Sequence, residues 1–333
     1  MFRQGGGLME YMPEFEILKP ASLTEAVVLR SDDPNAAFIA GGTDLVPNMR
    51  RGIAQPEKVI DLSGVTEIRS IERRNDGLRI GAAVTLSELI ADQAVKESYA
   101  AIAEAAGTIA ASTHREVATV GGNLCLDTRC VFYNQSEWWR RSNSYCLKSR
   151  GEICHVAPKG DHCFAAFSGD LPPALMIYDA EVEIASPSGS HTIPLIEMYR
   201  DDGRDHLALE PDEMLVAVVL PAPPDGFRTT YSKSRVRGAI EFPLAGVAIG
   251  MCQYGINISN LRIAFTGTNS MPIIVDGCDA LNGKSLDDEL LEEFLKQIPK
   301  QIQPMTSTFT PPGYRRRVVT NLVRSLLQKL YRG

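Results

Sequence analysis

The spacing of apolar positions predicts short strands and capped helices in the first third of the chain. Apolar runs at residues 37–40, 59–62 and 78–81 are short and bounded by glycine or polar residues, which is typical of buried strands. Two Ser/Thr-x-x-Glu patterns begin at Ser22 and Thr85. They are typical of helix N-termini, because the hydroxyl and the glutamate bond to free N–H groups of the first turn.

The residue pattern in the rest of the chain predicts three more helices and several more strands. An alanine-rich helix is expected over residues 99–111. Residues 221–226 contain three prolines and mark the clearest boundary in the chain. Two helices are expected near the C-terminus, one capped by Ser285 and one over residues 315–331. Further strands are predicted over residues 174–185, 191–195, 227–231, 244–254 and 261–266. This mixture, without regular βαβ alternation, predicts an α+β architecture.

Length, net charge and the distribution of apolar residues exclude some classes of function. The chain has 333 residues, enough for two or three domains with separate cores. Its 34 basic and 41 acidic residues give a formal net charge of -7, so no nucleic-acid partner is expected. No apolar stretch has the length of a membrane span, and residues 1–15 lack the apolar core of a signal peptide. A cytoplasmic protein with no membrane contact is therefore expected.

Two glycine-containing segments provide the first candidate binding site. Residues 39–45 read Ile-Ala-Gly-Gly-Thr-Asp-Leu after a predicted strand, and residues 119–124 read Thr-Val-Gly-Gly-Asn-Leu. Paired glycines let backbone N–H groups approach an anion, because no Cβ intervenes and positive φ is available. Each segment alone is equally typical of a tight turn. The G-x-G-x-x-G pattern of a Rossmann site is absent.

The cysteines provide the second candidate site. Five of the seven fall within residues 125–163, where they suggest metal or redox chemistry in a reducing compartment. Four thiolates are the ligand number of a [4Fe–4S] cluster, and also of a structural zinc ion that could recruit His155 or His162. The C-x₂₋₄-C pairs common in zinc sites are absent. A loop with four reduced thiols is the third possibility. The four candidate ligands are Cys130, Cys146, Cys154 and Cys163.

Aromatic and basic residues in the same segment bear on the potential of such a cluster. An apolar shell lowers the potential, whereas nearby basic side chains raise it. The aromatic residues are Phe132, Tyr133, Trp138, Trp139, Tyr145, Phe164 and Phe167. The basic residues considered are Arg140, Arg141, Lys148 and Lys159.

Several sequence strings together resemble one known family. They are AGGTDLVPNMRRG, ATVGGNLC, GDLPPALMIYDAEVEI, DEMLVAVVLP, YSKSRVR and EFPLAGVA. In this order they resemble the FAD-binding medium subunit of the xanthine oxidase/CO dehydrogenase family. The resemblance implies a vanillyl-alcohol-oxidase/PCMH-type FAD-binding fold of two subdomains, residues 1–62 and 63–224, followed by a C-terminal α+β domain, residues 225–333. It also implies that residues 124–169 are an insert in the second subdomain.

The resemblance further implies which residues contact FAD. Residues 37–44 and 119–123 would hold the pyrophosphate and its surroundings, and single residues further along would contact the rest of the cofactor. The full implied set is Ala37, Phe38, Ile39, Ala40, Gly41, Gly42, Thr43, Asp44, Ile109, Thr119, Val120, Gly121, Gly122, Asn123, Asp170, Leu215 and Lys233.

The insert resembles that of the 4-hydroxybenzoyl-CoA reductase branch of this family. By this resemblance the four candidate cysteines bind a [4Fe–4S] cluster, whereas Cys125, Cys252 and Cys278 are packed residues. The partners implied are a molybdopterin-binding large subunit and a small subunit with two [2Fe–2S] clusters, in a dimer of heterotrimers. Ferredoxin would supply electrons, and substrate chemistry at molybdenum leaves no catalytic acid or base here. A related enzyme that acts on another aromatic or N-heterocyclic substrate is the alternative.

Overall fold

The computed structural model describes residues 12–332, which build three separate β-sheets. A parallel sheet of order β1–β3–β2 comprises β1 (Glu16–Leu18), β2 (Ala37–Ile39) and β3 (Lys58–Asp61). An antiparallel sheet of order β4–β5–β8–β6–β7 comprises β4 (Ile71–Arg74), β5 (Gly77–Gly81), β6 (Glu181–Ser186), β7 (Gly189–Pro194) and β8 (Met214–Pro221). An antiparallel sheet of order β12–β11–β10–β9 comprises β9 (Arg228–Ser234), β10 (Ala245–Tyr254), β11 (Asn257–Thr266) and β12 (Ile273–Ile274).

Helices connect and cover these sheets. In chain order they are α1 (Leu23–Asp32), α2 (Leu45–Arg50), α3 (Leu86–Ala91), α4 (Gln93–Ser98), α5 (Ala100–Thr108), α6 (Ser112–Arg115), α7 (Val120–Leu124), α8 (Glu137–Ser142), α9 (Leu171–Met176), α10 (Asp288–Leu295) and α11 (Pro312–Arg332). The mixture of helices and mainly antiparallel strands confirms the α+β class. Within residues 12–332, no helix has both the length and the apolar character needed to cross a membrane.

The five-stranded sheet carries the largest hydrophobic core. Ile80, Val218 and Val182 pair side by side across β5, β8 and β6, and all three are fully buried. Ile102 of α5 and Leu175 of α9 belong to the same core. Burying each such side chain contributes about 1.5–3 kcal/mol. This core fixes the strands and helices that surround the site described below.

The predicted caps are found at two helices and shifted at a third. The Ser22 hydroxyl accepts from the N–H of Glu25 at the start of α1, and Thr85 forms a full capping box with Glu88 at α3. The prediction of Ser285 as a cap was wrong. Asp287 caps α10 instead, because its carboxylate accepts a 2.8 Å hydrogen bond from the N–H of Leu290.

Two segments adopt helices where strands or turns were expected. The predicted strand over residues 174–185 begins only at Glu181, since residues 171–176 form α9. Prolines in the first turn of α9 favour this start, because their fixed φ is helical and their missing N–H groups need no partner. The glycine segment after Thr119 is also helical, as α7.

Candidate functional site

Two large cavities meet at the glycine segments. The first has a volume of about 660 Å³ and the second about 550 Å³, both in the range of small-molecule sites. Both cavities are lined by Phe38, Ala40, Thr119, Gly122 and Cys125. An elongated ligand with two bulky ends therefore fits with its middle at the glycine segments and one end in each cavity.

The first glycine segment is shaped by a close backbone contact. A Cβ on Gly41 would lie 1.9 Å from the carbonyl oxygen of Val117, so only glycine allows these two segments to touch. Gly42 has a φ of +67°, which favours glycine at this position too. Thr43 and Asp44 follow and line the first cavity.

The second glycine segment is the first turn of α7. The Thr119 hydroxyl accepts a 3.1 Å hydrogen bond from the N–H of Gly122. A Cβ on Gly121 would lie 2.9 Å from Ala82, whereas a Cβ on Gly122 would meet only the Thr119 hydroxyl. Packing therefore requires glycine more strongly at position 121 than at position 122. Gly122 borders both cavities. Asn123 accepts from the N–H of Leu171 and ties α7 to α9.

The other predicted FAD contacts occupy different places. Ile109 and Asp170 line the first cavity and Leu215 lines the second. Ala37 and Val120 line neither cavity, and Lys233 is placed behind Asp170 rather than at a cavity wall. The remaining predicted contacts line at least one cavity, namely Phe38, Ile39, Ala40, Gly41, Gly42, Thr43, Asp44, Thr119, Gly121, Gly122 and Asn123.

Asp170 is held by a buried ion pair. Its two carboxylate oxygens accept from the hydroxyl of Tyr231, at 2.5 Å, and from the ammonium of Lys233, at 2.9 Å. The side chains of Asp170 and Lys233 are 4% and 2% exposed. Burial raises the pKa of Asp170 and lowers the pKa of Lys233, and the ion pair opposes both shifts. The pair orients the carboxylate at the cavity wall.

Two cavity residues carry no motif in the sequence. Arg129 ion-pairs with Asp44, and its guanidinium lies 4.8 Å from the ring centre of Phe242. The Nδ1 atom of His114 is buried with no hydrogen-bond partner, although the residue lines the first cavity. An unpaired buried nitrogen at a cavity wall suits a polar ligand. Neither residue stands out in the sequence, because the partner of Arg129, Asp44, is 85 residues away and His114 is part of no recognisable motif in α6.

A third, much smaller cavity is lined by all four candidate cysteines. Its remaining wall is formed by Phe132, Tyr133, Leu147, Lys148, His155, Val156 and Ala165. Paired backbone hydrogen bonds between Arg129 and Ala166, of 2.7 and 2.8 Å, close the neck of the insert below this cavity. The insert therefore brings together thiols that are up to 33 residues apart in sequence.

The thiols are buried and influence one another's ionisation. A hydrogen bond from Cys163 lowers the pKa of Cys154 to about 5, and the same bond raises the pKa of Cys163 well above its usual range. Burial raises the pKa of Cys130 to about 11. Lys148 is 4% exposed and pairs with Asp127, and its charge favours the thiolate of Cys163. The cavity therefore combines buried thiol groups with one buried cation.

The thiols do not form a ready-made metal site. Among residues 12–332, no group of three or more histidine, cysteine, aspartate or glutamate side chains is arranged to hold a metal ion. The free space between the thiols is about 10 Å³, roughly the room that one water molecule needs. A larger inorganic group would require the thiols to move apart.

The aromatic shell is smaller than the sequence suggested. Of the seven aromatic residues of the insert, Phe132 and Tyr133 line the thiol cavity. Trp139 packs against Phe132 with a centroid distance of 6.1 Å, whereas Trp138 is 75% exposed. Of the four basic residues considered, Lys148 lines the cavity.

Comparison with known proteins shows the family of the chain. Residues 13–223 match the model of the FAD-binding domain in molybdopterin dehydrogenases, and residues 229–330 match the CO dehydrogenase flavoprotein C-terminal domain. The chain belongs to this flavoprotein family. It is 34% identical over 265 residues to the aldehyde oxidoreductase FAD-binding subunit PaoB of Escherichia coli, covering 77% of this chain and 82% of that protein. It is 26% identical to the xanthine dehydrogenase FAD-binding subunit of Escherichia coli O157:H7, covering 93% and 94%.

Solved structures confirm the family fold. A Cu,Mo-CO dehydrogenase chain superposes with a TM-score of 0.79 at 22% identity, covering 96% of this chain and 99% of that chain. A chain of quinoline 2-oxidoreductase from Pseudomonas putida 86 superposes with a TM-score of 0.78 at 21% identity, covering 97% and 99%. The predicted FAD-binding fold with a C-terminal domain is thus confirmed.

The geometry of the two large cavities fits FAD. The cofactor consists of an isoalloxazine and an adenosine joined through a pyrophosphate, which matches two cavities that meet at glycine-bordered backbone. Gly122 borders both cavities and leaves room at their junction for phosphate oxygens, while Gly42 and Thr43 line the wall of the first cavity. The chain belongs to a family of FAD-binding proteins, and the paired cavities have the size and shape to hold this cofactor.

Replacement of Gly122 tests the junction of these cavities. We expect Gly122→Val to lose most of its FAD, because the new side chain has no close packing neighbour except the Thr119 hydroxyl and would fill the junction. Flavin absorbance per chain in purified protein measures the effect. Gly107→Val is the matched control, since a Cβ at Gly107 meets nothing within 4 Å and the residue is outside both cavities. Full FAD content in Gly122→Val would contradict this placement.

Replacement of Lys233 tests the buried ion pair. Lys233→Met leaves the carboxylate of Asp170 buried without its cation, so we expect the free energy of unfolding to fall by about 3–5 kcal/mol. Urea unfolding of flavin-free protein measures the loss. The double variant Asp170→Asn/Lys233→Met should recover part of the stability, and the exposed Lys159→Met should change it little. Equal stability of Lys233→Met and wild type would show that the pair is not needed for folding.

Proposed function

We propose that this flavoprotein carries FAD and one [4Fe–4S] cluster and relays electrons within a molybdenum enzyme of the 4-hydroxybenzoyl-CoA reductase type. Such an enzyme removes the phenolic hydroxyl of 4-hydroxybenzoyl-CoA to give benzoyl-CoA in aromatic degradation. The two cofactors supply one- and two-electron redox chemistry when bound, and the chain holds and tunes them. Reduction of substrate takes place in a partner subunit.

The observation that carries the proposal is the convergence of four buried cysteines in an insert beside the FAD site. Cys130, Cys146, Cys154 and Cys163 match the ligand number and kind of a [4Fe–4S] cluster. Each iron of a cubane takes its own thiolate, so the ligands surround the cluster rather than converge on one ion. The lack of a mononuclear metal geometry among residues 12–332 is compatible with this requirement.

The assignment of FAD contacts is part of the proposal. Residues 37–44 and 119–123 would surround the pyrophosphate, with Ile109 and Asp170 toward one end of the cofactor and Leu215 toward the other, as the two cavities suggest. Lys233 would act through Asp170. We further propose domain limits at residues 62 and 224, and this division is supported by the three sheets, each of which lies within one of the three ranges.

The proposed partners are inferred from related chains that are named as single subunits of larger enzymes. The carbon monoxide dehydrogenase medium chain of Hydrogenophaga pseudoflava is 29% identical, covering 84% of both chains, and its name marks it as one chain of several. We propose a molybdopterin-binding large subunit and a small subunit with two [2Fe–2S] clusters, in a dimer of heterotrimers, with ferredoxin as electron donor. A cytoplasmic location is consistent with seven free cysteines.

A second candidate is the same kind of subunit in an enzyme acting on another aromatic or N-heterocyclic substrate. It is favoured by the nicotine 6-hydroxylase medium subunit of Paenarthrobacter nicotinovorans, which is 27% identical and covers 94% of this chain. The insert favours the first candidate. Neither substrate needs to contact this subunit. Turnover by the complete enzyme is therefore the measurement that distinguishes the two candidates.

The metal content of cysteine variants tests the cluster. Anaerobically purified protein should contain about four iron atoms per chain beyond those of its partners. Cys146→Ser should lose this iron, because Cys146 lines the thiol cavity. Cys125→Ser is the matched control, since Cys125 borders the FAD cavities and is outside the thiol cavity, so it should keep the iron. Stoichiometric zinc without iron would favour a structural zinc site.

Turnover by the holoenzyme tests the substrate. With reduced ferredoxin, the complex purified with its partner subunits should convert 4-hydroxybenzoyl-CoA to benzoyl-CoA, which chromatography detects. Nicotine and nicotinate with an artificial electron acceptor are the comparison substrates. Hydroxylation of these heterocycles without dehydroxylation of the CoA ester would select the second candidate, while FAD and iron contents would be unaffected.

A further inference from the structure

Arg315 is a buried arginine without an acidic partner. It lies near the start of α11, and the residue is 0% exposed. Among residues 12–332, the other two buried arginines each pair with a carboxylate at 2.8 Å, Arg79 with Glu183 and Arg140 with Glu137. Arg315 forms no ion pair with any residue of that range, and only backbone carbonyls accept from its side chain. Its positive charge is therefore buried without a counter-charge from the chain.

The guanidinium of Arg315 also retains unused donors. Its Nε and Nη1 atoms donate to the carbonyl oxygens of Leu244 and Met305, at 3.1 and 3.3 Å, whereas Nη2 has no hydrogen-bond partner. Burial lowers the pKa of Arg315 to about 10, so the side chain is still charged at neutral pH. The start of α11 is the positive end of the helix, and its first turn contains no acidic residue. A buried cation in this position is costly unless an anion accompanies it.

Two buried hydroxyls without partners belong to the segments that surround this guanidinium. Ser307 follows Met305 by two residues. Thr268 follows Gly267, and a Cβ on Gly267 would lie 3.3 Å from the carbonyl carbon of Leu244. Both hydroxyl oxygens lack a hydrogen-bond partner, and both residues are 2% exposed. Hydroxyl groups can donate to an anion, so neighbouring segments supply further donors beside the unpaired charge.

We propose that Arg315, Ser307 and Thr268 bind one small monovalent anion of the halide class, with chloride as the occupant. A spherical anion accepts hydrogen bonds from any direction and needs little space, which suits residues that are almost fully buried. Water would satisfy the donors but would leave the charge uncompensated. A phosphate or a partner's carboxylate would need an open cavity, and none of the three cavities described above is lined by these residues. The inference depends neither on FAD nor on the four candidate cysteines.

An anion in this position would connect segments that hold the insert. The carbonyl of Ser307 accepts a 2.8 Å hydrogen bond from the N–H of Val131. The N–H of Gly267 donates a 3.0 Å hydrogen bond to the carbonyl of Phe167. Val131 and Phe167 both belong to residues 124–169. The bound anion would therefore stabilise the attachment of the insert to the C-terminal part of the chain, and the stability of the protein would depend on chloride concentration.

Bromide provides a direct probe of the site, because it replaces chloride and scatters X-rays anomalously. Crystals of the full chain soaked in sodium bromide should show an anomalous peak within hydrogen-bond distance of Nη2 of Arg315. Urea unfolding in sodium chloride and in sodium gluconate at equal ionic strength measures the linked stability. The unfolding midpoint should rise with chloride, since the anion binds the folded state. Ser307→Ala should raise the chloride concentration needed for half of this rise several-fold.

Arginine variants separate a bound anion from a general salt effect. Arg315→Met removes the charge and should abolish the chloride dependence. Arg317→Met is the matched control, because Arg317 is an exposed arginine of the same helix, and it should keep the dependence. If Arg315→Met does not fold, the bromide map and the Ser307→Ala titration decide.

Three results would overturn the inference. The first is the absence of a bromide peak beside Arg315. The second is a bromide peak together with equal unfolding midpoints in chloride and gluconate, which would indicate an adventitious ion only. The third is a chloride dependence that persists unchanged in Arg315→Met, because the effect of the salt would then arise elsewhere.

Discussion

The close backbone contact between Gly41 and Val117 is the constraint on which the site depends. It brings the segment after β2 against the segment before α7, and a side chain at position 41 would collide with the Val117 carbonyl. This contact creates the junction where the two large cavities meet. Asp44, three residues further on, reaches the insert through Arg129. The approach of two backbones thus fixes the junction of the two cavities and the base of the insert together.

Residues 124–169, the insert of the sequence-based prediction, are joined to the rest of the flavoprotein through a narrow neck. The neck is closed by the Arg129–Ala166 bridge, and beyond it the fold of the insert depends mainly on turns around the thiols. The carbonyl of Cys146, for example, accepts from the N–H groups of both Ser149 and Gly151. A segment with so few apolar contacts gains stability from any group that binds its thiols. The buried charge of Lys148 also favours anionic ligands in this place.

The sequence predicted local structure better than long-range arrangement. Most strands and the Thr85 capping box were correct because their signals lie within a few residues. The helix over residues 171–176 was missed because buried apolar runs fit a strand or a helix equally well. The glycine segments and the cysteine set stood out by spacing. Arg129 did not, because its partner Asp44 comes from a distant segment, and His114 did not, because no motif surrounds it. Lys148 was one of four basic residues considered, and only the fold shows that it is the one at the cavity, paired with Asp127.

The thiol cavity differs from the two large cavities in what holds its walls together. Its walls are turns behind a neck closed by two backbone hydrogen bonds, whereas the large cavities are bordered by strands and helices of the sheets. Under the proposed function, a cluster would join segments of the chain that few apolar contacts hold together. Loss of that cluster would then loosen this part of the chain and leave the large cavities intact.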